Sequence, residues 1–310
     1  IVAGTLRRQD ETRLMLRPES TEKAIRDYEE LKGFELSDEQ VRAVKHITNQ
    51  TAGVAILEGY AGTGKTTVSQ AVKRSFEEEG FSLIGVAISN AAAKKLFDES
   101  GMPCASVALT LSRLDKGKMT LTDKTVLVVD EAGMLDARFT ERLMTHAEKA
   151  GAKIILQGDE NQLQPICAGS GFKLAKASIG AEKLTEIRRQ KTVDMQATAL
   201  SFYDKDDQEG PKSRMEQVRK GKRIMENLEE STFAFPGHFD ATKQCVKDFM
   251  EDPLPMDEKL LIAHTREDIR ALTSGVREAL RTKGDLLGDD FTVKCRQGKG
   301  FEERSFAEGD

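Results

Sequence analysis

The pattern of apolar and polar positions changes near residue 54 of this chain. From there, short apolar runs alternate with segments in which apolar residues recur at helical spacing. Continuous apolar strands that alternate with helices are typical of a parallel sheet covered on both faces. We therefore predict an α/β domain with a doubly wound, mainly parallel sheet. The predicted strands are Val54–Leu57, Ser82–Ile88, Val126–Asp130 and Lys153–Gln157, and the predicted helices are Lys65–Glu79, Ala91–Glu99 and Ala137–Ala150.

The segments on either side of this domain are less regular. Residues 1–35 are rich in charge, with loosely spaced apolar positions, and are predicted to form a helical lead-in or linker. Residues 204–230 are highly polar, which favours a loop or a small helical insertion. A strand at Leu260–His264, a long helix from Arg266 to about Lys283 and a strand at Phe291–Lys294 predict a second α/β domain.

Composition limits the possible functions. The 310 residues include 47 Lys+Arg and 52 Asp+Glu, for a formal net charge of −5, with 38% hydrophobic residues, which is compatible with about two globular domains. No apolar run approaches the ~20 residues of a membrane span, and no secretory signal is visible, so a cytoplasmic location is expected. A net-acidic chain is not a general polybasic coat, so any nucleic acid must bind in a local groove. The cysteines, predicted to be reduced thiols without metal-binding spacing, are Cys104, Cys167, Cys245 and Cys295.

A glycine-rich loop gives the strongest chemical signal. Gly59-Tyr60-Ala61-Gly62-Thr63-Gly64-Lys65-Thr66 matches the pattern GxxxxGK[ST] and lies between a predicted strand and a predicted helix. Backbone N–H groups of such a loop surround phosphates at a helix N-terminus, where the helix dipole favours anions. The Lys65 amine adds positive charge, and the Thr66 hydroxyl is a ligand for Mg²⁺. The loop therefore predicts a nucleoside triphosphate site.

Polar residues follow two further predicted strands. Asp130 and Glu131 end the strand that begins at Val126, where the first can organise a metal and the second can activate a water molecule. Gln162 lies in the segment after Lys153–Gln157, where a glutamine can contact the γ-phosphate, although an ordinary polar turn explains that segment equally well.

Four motifs, in order and spacing, resemble motifs I to IV of superfamily 1B helicases. The likeness spans about residues 36–310, and it looks closest to RecD-like enzymes and to the helicase region of MobA/TraA-type conjugative relaxases. The choice of the relaxase type rests on the last motif, the Leu260–Leu272 segment and the charged lead-in. The motifs are Gly59–Thr67, Asp130-Glu131, Gly158-Asp159-x-x-Gln162-Leu163 and Leu184–Gln190.

The resemblance implies a domain arrangement. Residues 36–188 would form a RecA-like P-loop NTPase domain, called 1A, with the ATP site. Residues 189–310 would form part of a second RecA-like domain, called 2A, with the polar insertion at 204–230. The chain begins at Ile1 instead of a methionine, and residues 301–310 resemble the family shortly before its motifs V and VI. We therefore expect a piece of a longer protein that stops before those motifs.

The resemblance also implies roles for single residues. Thr66 and Asp130 would hold Mg²⁺, Glu131 would act as base and Gln162 would sense the γ-phosphate. Arg189 would reach from the second domain toward that phosphate, with Arg188 as the less favoured candidate. Gln40 would recognise adenine, but it is also placed to pair with Ser37 in a capping box, and both roles are compatible. The implied ATP-binding residues are Gln40, Gly59, Gly62, Thr63, Gly64, Lys65, Thr66 and Thr67, and the implied catalytic residues are Lys65, Asp130, Glu131, Gln162 and Arg189.

DNA contacts are implied by the resemblance with less detail. The segment after Ile88 lacks the proline and glycine of the family's pattern, and each candidate has an alternative role as a helix cap or solvated turn. A basic cluster within Lys212–Arg223 could line a DNA path, but such a charge run is also typical of the solvent-exposed face of a helix. Candidate rings for base stacking are Tyr60, Phe97 and Phe172. The candidate DNA-binding residues are Ser89, Asn90, Thr110, Arg113, Thr265 and Arg266.

These features lead to one favoured hypothesis and three alternatives. The favoured function is an ATP-dependent single-strand DNA translocase and 5′→3′ helicase core, part of a relaxase-helicase in plasmid conjugation or mobilisation, and monomeric. The first alternative is a single-strand DNA-binding or secretion-recognition module of a relaxase with little motor activity, in contact with the conjugation machinery. The second is a RecD-like repair helicase. The third, an unrelated P-loop NTPase, leaves Gln162 and Arg189 unexplained.

Overall fold

A computed structural model of the chain describes residues 1–167, 169–203, 218–219, 221–222, 224–225, 228, 233–297 and 300–308. The chain divides into two compact units, Ile1–Ile224 and Met225–Asp310. Most of the predicted polar insertion at 204–230, with much of its basic cluster, lies outside the described residues. None of the helices in the described ranges is long and apolar enough to cross a membrane.

A six-stranded parallel sheet forms the centre of the first unit. Its strand order is β3-β2-β4-β5-β1-β6, so β1 lies between β5 and β6. The predicted doubly wound, mainly parallel sheet is therefore confirmed. Sequence periodicity missed only β3 and β6 among these strands, because three residues are too few to show a pattern. The strands are β1 Val54–Gly59, β2 Ser82–Ala87, β3 Cys104–Ser106, β4 Thr125–Val129, β5 Lys153–Gly158 and β6 Glu182–Leu184.

Helices cover both faces of this sheet. Successive strand residues point to opposite faces, so Leu57 packs into the core beneath α4 while its neighbour Ile56 packs into the core beneath α7 and α8. Side-chain caps fix several helix starts, as where the Asp136 carboxylate accepts from the Phe139 N–H at 2.8 Å. The helices are α1 Val2–Arg7, α2 Pro18–Lys32, α3 Asp38–Lys45, α4 Lys65–Glu78, α5 Asn90–Ser100, α6 Val107–Asp115, α7 Ala137–Ala150, α8 Gly171–Ile179 and α9 Val193–Ser201.

The segment before residue 36 is helical and packs into the first unit. Leu14 and Ile25 are buried in the same core as α4. The Tyr28 hydroxyl donates to Gln70 Oε1 at 2.8 Å, and the buried Arg8 guanidinium donates to the Ala152 carbonyl oxygen. Residues 1–35 are therefore helical, as predicted, and they pack as part of the first unit. The packing of this segment was not evident from the sequence, because α2 has apolar residues on one face only and is otherwise highly charged.

The second unit contains two helices and a two-stranded antiparallel sheet among its described residues. The strand predicted at Leu260–His264 is wrong: the segment is irregular, and Leu260 and Ile262 are exposed. Those residues have no described neighbouring strand with which to form a ladder. Assignment of this unit to a second RecA-like domain stays a prediction. Its elements are α10 His238–Glu251, α11 Arg266–Lys283, β7 Leu287–Gln297 and β8 Gly300–Glu308.

The buried side chain of Lys153 should make the stability of the protein depend on pH. It is buried at the start of β5, where its amine donates to the carbonyl oxygens of Thr51 and, at 2.7 Å, of Ala52. Burial, with a smaller effect of the Arg8 charge, lowers the pKa of Lys153 from 10.5 to about 7. Between these two values the unfolded chain holds a proton that the folded chain has lost, so the free energy of unfolding should rise with pH over that range.

Urea unfolding at pH 7 and pH 9.5 measures this effect. Lys153→Met should gain less stability than the unchanged protein between the two pH values, because methionine does not titrate. Lys73→Met is the matched control, since the Lys73 amine pairs with Glu77 on the surface at 2.8 Å. Equal pH dependence in the unchanged protein and the Lys153 variant would contradict the prediction.

Candidate functional site

A cleft of about 720 Å³ opens in the first unit where several strands end. It is lined by residues that follow β1, β4, β5 and β6 and by residues of α3, α4 and α5. Ligand sites of parallel α/β sheets lie at the carboxyl ends of strands, where chain segments from different strands meet. The residues of the predicted ATP site that line the cleft are Gln40, Gly62, Gly64, Lys65, Thr66, Thr67, Asp130, Glu131, Gln162, Arg188 and Arg189.

The phosphate-binding loop connects β1 to α4. Gly62 and Gly64 have φ angles of 83° and 89°, a region that favours glycine. The Lys65 amine donates to the carbonyl oxygens of Gly59 at 2.6 Å and Tyr60 at 3.3 Å, so its positive charge lies within the loop. The N-terminus of α4 begins at the same residue. Loop, ammonium and helix start together form an anion site of the kind the sequence predicts.

Gln40 connects α3 to this loop. Its backbone N–H donates to Ser37 Oγ at 3.3 Å, and its Oε1 accepts from the Ser37 N–H at 3.1 Å, which completes the capping box. Its Nε2 donates to the Thr63 carbonyl oxygen at 3.3 Å. At Gly64 the φ of 89° disfavours any other residue, and an added Cβ, 2.3 Å from Gln40 Nε2, would also displace the Gln40 side chain. The capping role is confirmed, and recognition of adenine stays a prediction.

Asp130 is held in place by a side chain that the sequence did not single out. Its Oδ1 accepts from Gln157 Nε2 at 2.8 Å, and Gln157 Oε1 accepts from Ser69 Oγ at 2.7 Å. Gln157 and Ser69 are both buried. This arrangement fixes the carboxylate between β5 and α4, and no local pattern could reveal it because the partners are distant in sequence.

Thr66 and Asp130 both line the cleft, and each has a side-chain oxygen that could serve as a ligand for Mg²⁺. This ion prefers oxygen ligands and is commonly held by one or two protein side chains together with phosphates. Within the described residues, no group of three or more His, Cys, Asp or Glu side chains could hold a metal alone. The Thr66 hydroxyl donates to Glu99 Oε2 at 3.3 Å.

Glu131 has an unusual backbone and an altered acidity. Its φ of 48° is the only positive value of a non-glycine residue within the described ranges, and such strain is commonly found at active sites. Burial raises the pKa of the Glu131 carboxyl; Lys65 opposes this shift, while the charges of Asp130 and Asp159 add to it. A carboxylate beside a phosphate-binding loop is suited to accept a proton from an attacking water molecule, and a raised pKa makes it a stronger base.

Gln162 is oriented by the buried carboxylate of Asp159. Its Nε2 donates to Asp159 Oδ2 at 3.0 Å, and the Asn161 N–H donates to Asp159 Oδ1 at 2.9 Å. The hydroxyl of Tyr203 donates to Asp159 Oδ2 at 2.8 Å and accepts from the N–H of Ala61 at 2.9 Å. Sequence analysis missed Tyr203, which lies in none of the motifs.

Arg189 lies in the first unit, next to the phosphate-binding loop. The backbone N–H groups of Arg188 and Arg189 donate to the Gly62 carbonyl oxygen at 2.8 and 3.1 Å. The expectation that Arg189 reaches across from a second domain is therefore wrong: β6 pairs with β1 and brings it there. The Arg188 guanidinium pairs with Glu186 at 3.1 Å. No side-chain partner of the Arg189 guanidinium is found among the described residues, which favours Arg189 as the phosphate-contacting residue.

The candidate DNA contacts fall into three groups. Ser89, Asn90 and Arg113 are exposed in the first unit, with Ser89 capping α5 through the Ala92 N–H at 3.1 Å. Thr110 is fully buried inside α6, so its predicted contact with DNA is wrong. Thr265 and Arg266 are exposed at the start of α11 in the second unit, and Thr265 is the N-cap of that helix.

The stacking candidates also differ in exposure. Phe172 is fully buried in the core, so the prediction that it stacks on bases is wrong. Tyr60 already stacks on Tyr203, with ring centroids 3.8 Å apart. Phe97 is half exposed on α5.

Comparison with known proteins identifies relatives. The family model described as AAA domain matches residues 35–227. The probable conjugal transfer protein TraA of Sinorhizobium fredii (strain NBRC 101917 / NGR234) is 33% identical over 89% of this chain and 23% of that protein. The multifunctional conjugation protein TraI of Escherichia coli (strain K12) is 23% identical over 83% of this chain and 17% of that protein. The chain thus spans less than a quarter of the length of these relatives.

Among solved structures, the DUF1998 helicase MrfA bound to DNA is similar with a TM-score of 0.40 and 13% identity, over 76% of this chain and 44% of that one. The family match covers more than half of the chain and includes every residue of the cleft except Phe34. The chain belongs to the AAA domain family, contains a P-loop, and is similar to part of the TraA and TraI conjugation proteins.

Proposed function

We propose that this chain is the ATP-dependent motor of a single-strand DNA translocase and 5′→3′ helicase, within a relaxase-helicase of plasmid conjugation or mobilisation. One observation carries the proposal: a single cleft brings together Lys65, Asp130, Glu131, Gln162 and Arg189. These residues come from four separate segments of the chain, and each matches a position in the helicase motifs. Similarity to TraA and TraI conjugation proteins supports the conjugation context.

The chemistry would be hydrolysis of ATP. The Lys65 amine and the backbone N–H groups of the loop would bind the phosphates, and Glu131 would accept a proton from the attacking water. Thr66 and Asp130 would hold Mg²⁺, which would stabilise the negative charge that develops on the phosphates. Arg189 and Gln162 would contact the γ-phosphate and so respond to its loss.

Two of the proposed DNA contacts lie on the same unit as the cleft. Ser89 and Asn90 follow β2 at the sheet edge where the cleft opens, and their exposed polar groups, with the start of α5, are suited to phosphate contact. The helicase resemblance also supports contacts of Thr265 and Arg266 with DNA and the 5′→3′ polarity of movement. A monomeric state and a cytoplasmic location complete the proposal.

Phosphate release from ATP, with and without single-stranded DNA, tests the proposed function. We expect DNA to increase the rate, both in the 310-residue chain and in a longer parent protein, with weaker turnover in the chain because it spans less than a quarter of the length of its TraA and TraI relatives. Strand binding of equal affinity with and without ATP, and no phosphate release from either protein, would instead identify a DNA-binding module.

The direction of movement needs the longer parent protein. Partial duplexes with either a 5′ or a 3′ single-stranded tail should be compared under the same conditions. A 5′→3′ helicase unwinds only the duplex with the 5′ tail, and selective unwinding of the other duplex would contradict the proposed polarity.

A further inference from the structure

A continuous path of hydrogen bonds joins two sides of the cleft through Tyr203. The Ala61 N–H, at the tip of the phosphate-binding loop, donates to the Tyr203 hydroxyl oxygen at 2.9 Å. That hydroxyl donates to Asp159 Oδ2 at 2.8 Å, and Asp159 Oδ2 also accepts from Gln162 Nε2 at 3.0 Å. The hydroxyl therefore lies between a loop that would bind phosphates and an amide that would sense them.

The aromatic ring of Tyr203 makes a separate contact with the loop. It stacks on Tyr60 with centroids 3.8 Å apart and planes inclined by 15°. Stacked rings at this distance contribute to packing independently of the hydroxyl. The two contacts can thus be separated by mutation: the ring packs against Tyr60 of the loop, and the hydroxyl connects the loop to Asp159.

The protonation state of the Tyr203 hydroxyl allows it to donate this hydrogen bond. Burial raises the pKa of Tyr203 to about 12, and the Asp159 carboxylate adds to the shift, so the hydroxyl keeps its proton at neutral pH and can donate it. Asp159 is almost fully buried. A buried carboxylate is costly without donors, and loss of one donor leaves it free to reorient together with the amide that it holds.

We propose that Tyr203 is a positioning residue for ATP hydrolysis, whose hydroxyl fixes the Ala61 tip of the phosphate-binding loop and, through Asp159, the orientation of Gln162. The inference rests on the proposed ATPase function and deepens it. Tyr203 touches neither substrate nor metal in this role, and it acts through the two groups that it connects. Binding of ATP should depend little on it, because the Lys65 amine and the other loop N–H groups remain in place.

Tyr203→Phe separates the hydroxyl from the ring. We expect kcat for ATP hydrolysis to fall about tenfold or more, since small displacements of a positioned group have effects of that size. The KM for ATP should stay within about threefold. In a Gln162→Ala background the same substitution should reduce kcat by a clearly smaller factor, because one of the two groups that the hydroxyl positions is already absent. Tyr28→Phe is the matched control, since Tyr28 also donates to one side-chain oxygen, that of Gln70.

Three results would overturn the inference: an unchanged kcat in Tyr203→Phe, a full loss of rate that persists in the Gln162→Ala background, or a raised KM at constant kcat. Hydrogen exchange of the loop provides a measurement that does not depend on ATPase activity. The Ala61 amide should exchange faster in Tyr203→Phe than in the unchanged protein and in Tyr28→Phe. If the unchanged protein releases no phosphate, the proposed function fails, and unchanged exchange at Ala61 would show separately that the Tyr203 contact is wrong.

Discussion

Lys65→Ala should reduce ATP hydrolysis about 10²–10³-fold, with or without DNA. The Lys65 amine is the positive charge within the phosphate-binding loop, where it donates to the Gly59 and Tyr60 carbonyl oxygens. Electrostatic stabilisation of phosphoryl transfer is its expected contribution, and a single preorganised donor is typically worth about 10²–10³ in rate. The measurements are phosphate release and the affinity for a fluorescent ATP analogue, which should also fall.

Lys73→Ala is the matched control for this variant. Lys73 lies two turns further along α4, and its amine pairs with Glu77 on the surface. It should keep the rate and nucleotide affinity of the unchanged protein. A Lys65→Ala protein that retains more than a tenth of the original rate would show that the loop does not serve hydrolysis.

Glu131→Gln should reduce kcat about 10²–10⁴-fold while nucleotide binding is retained. The range is that of a positioned general base. Glutamine keeps the size of the side chain but cannot accept the proton of water, so the loss should appear in kcat and hardly in KM. Phosphate release and nucleotide affinity, measured on the same preparation, distinguish the two effects.

The pH profile gives this prediction a second readout. Burial raises the pKa of Glu131 above 4.5, so the carboxyl is protonated, and inactive as a base, over a wider acidic range than an exposed glutamate. The rate should therefore rise with pH through a midpoint above 4.5, and the residual rate of Glu131→Gln should lack that rise. Glu77→Gln, on the surface, is the control. An acidic limb unchanged in Glu131→Gln would assign the titration to another group.

Local sequence was sufficient for those parts of the molecule that depend on near neighbours. Buried strands such as β4 appear as apolar runs, and the loop before Lys65 has a fixed spacing that one strand–helix connection requires. The capping box at Ser37 is likewise complete within four residues. Each of these features depends on contacts between residues close in the chain, which is why it could be predicted.

Contacts between distant residues account for most of what was missed. Gln157 reaches Asp130 and Ser69 only after three segments have packed, and Tyr203 meets Ala61 across 142 positions. Arg189 was assigned to the wrong unit because the three-residue strand β6, which carries its segment to the first sheet, has no visible periodicity. The Leu260–His264 segment shows the reverse error, since an apolar run without a partner strand does not form a sheet.

The position of β1 within the sheet has a consequence for synthesis of the protein. Val54 pairs with Ile154 and Leu57 with Glu182, so both neighbours of the strand that carries the phosphate-binding loop are encoded a hundred or more residues later. Such distant pairings form slowly. During translation the loop therefore leaves the ribosome long before its support exists, and we expect a nascent chain to acquire nucleotide affinity only after β6 has emerged.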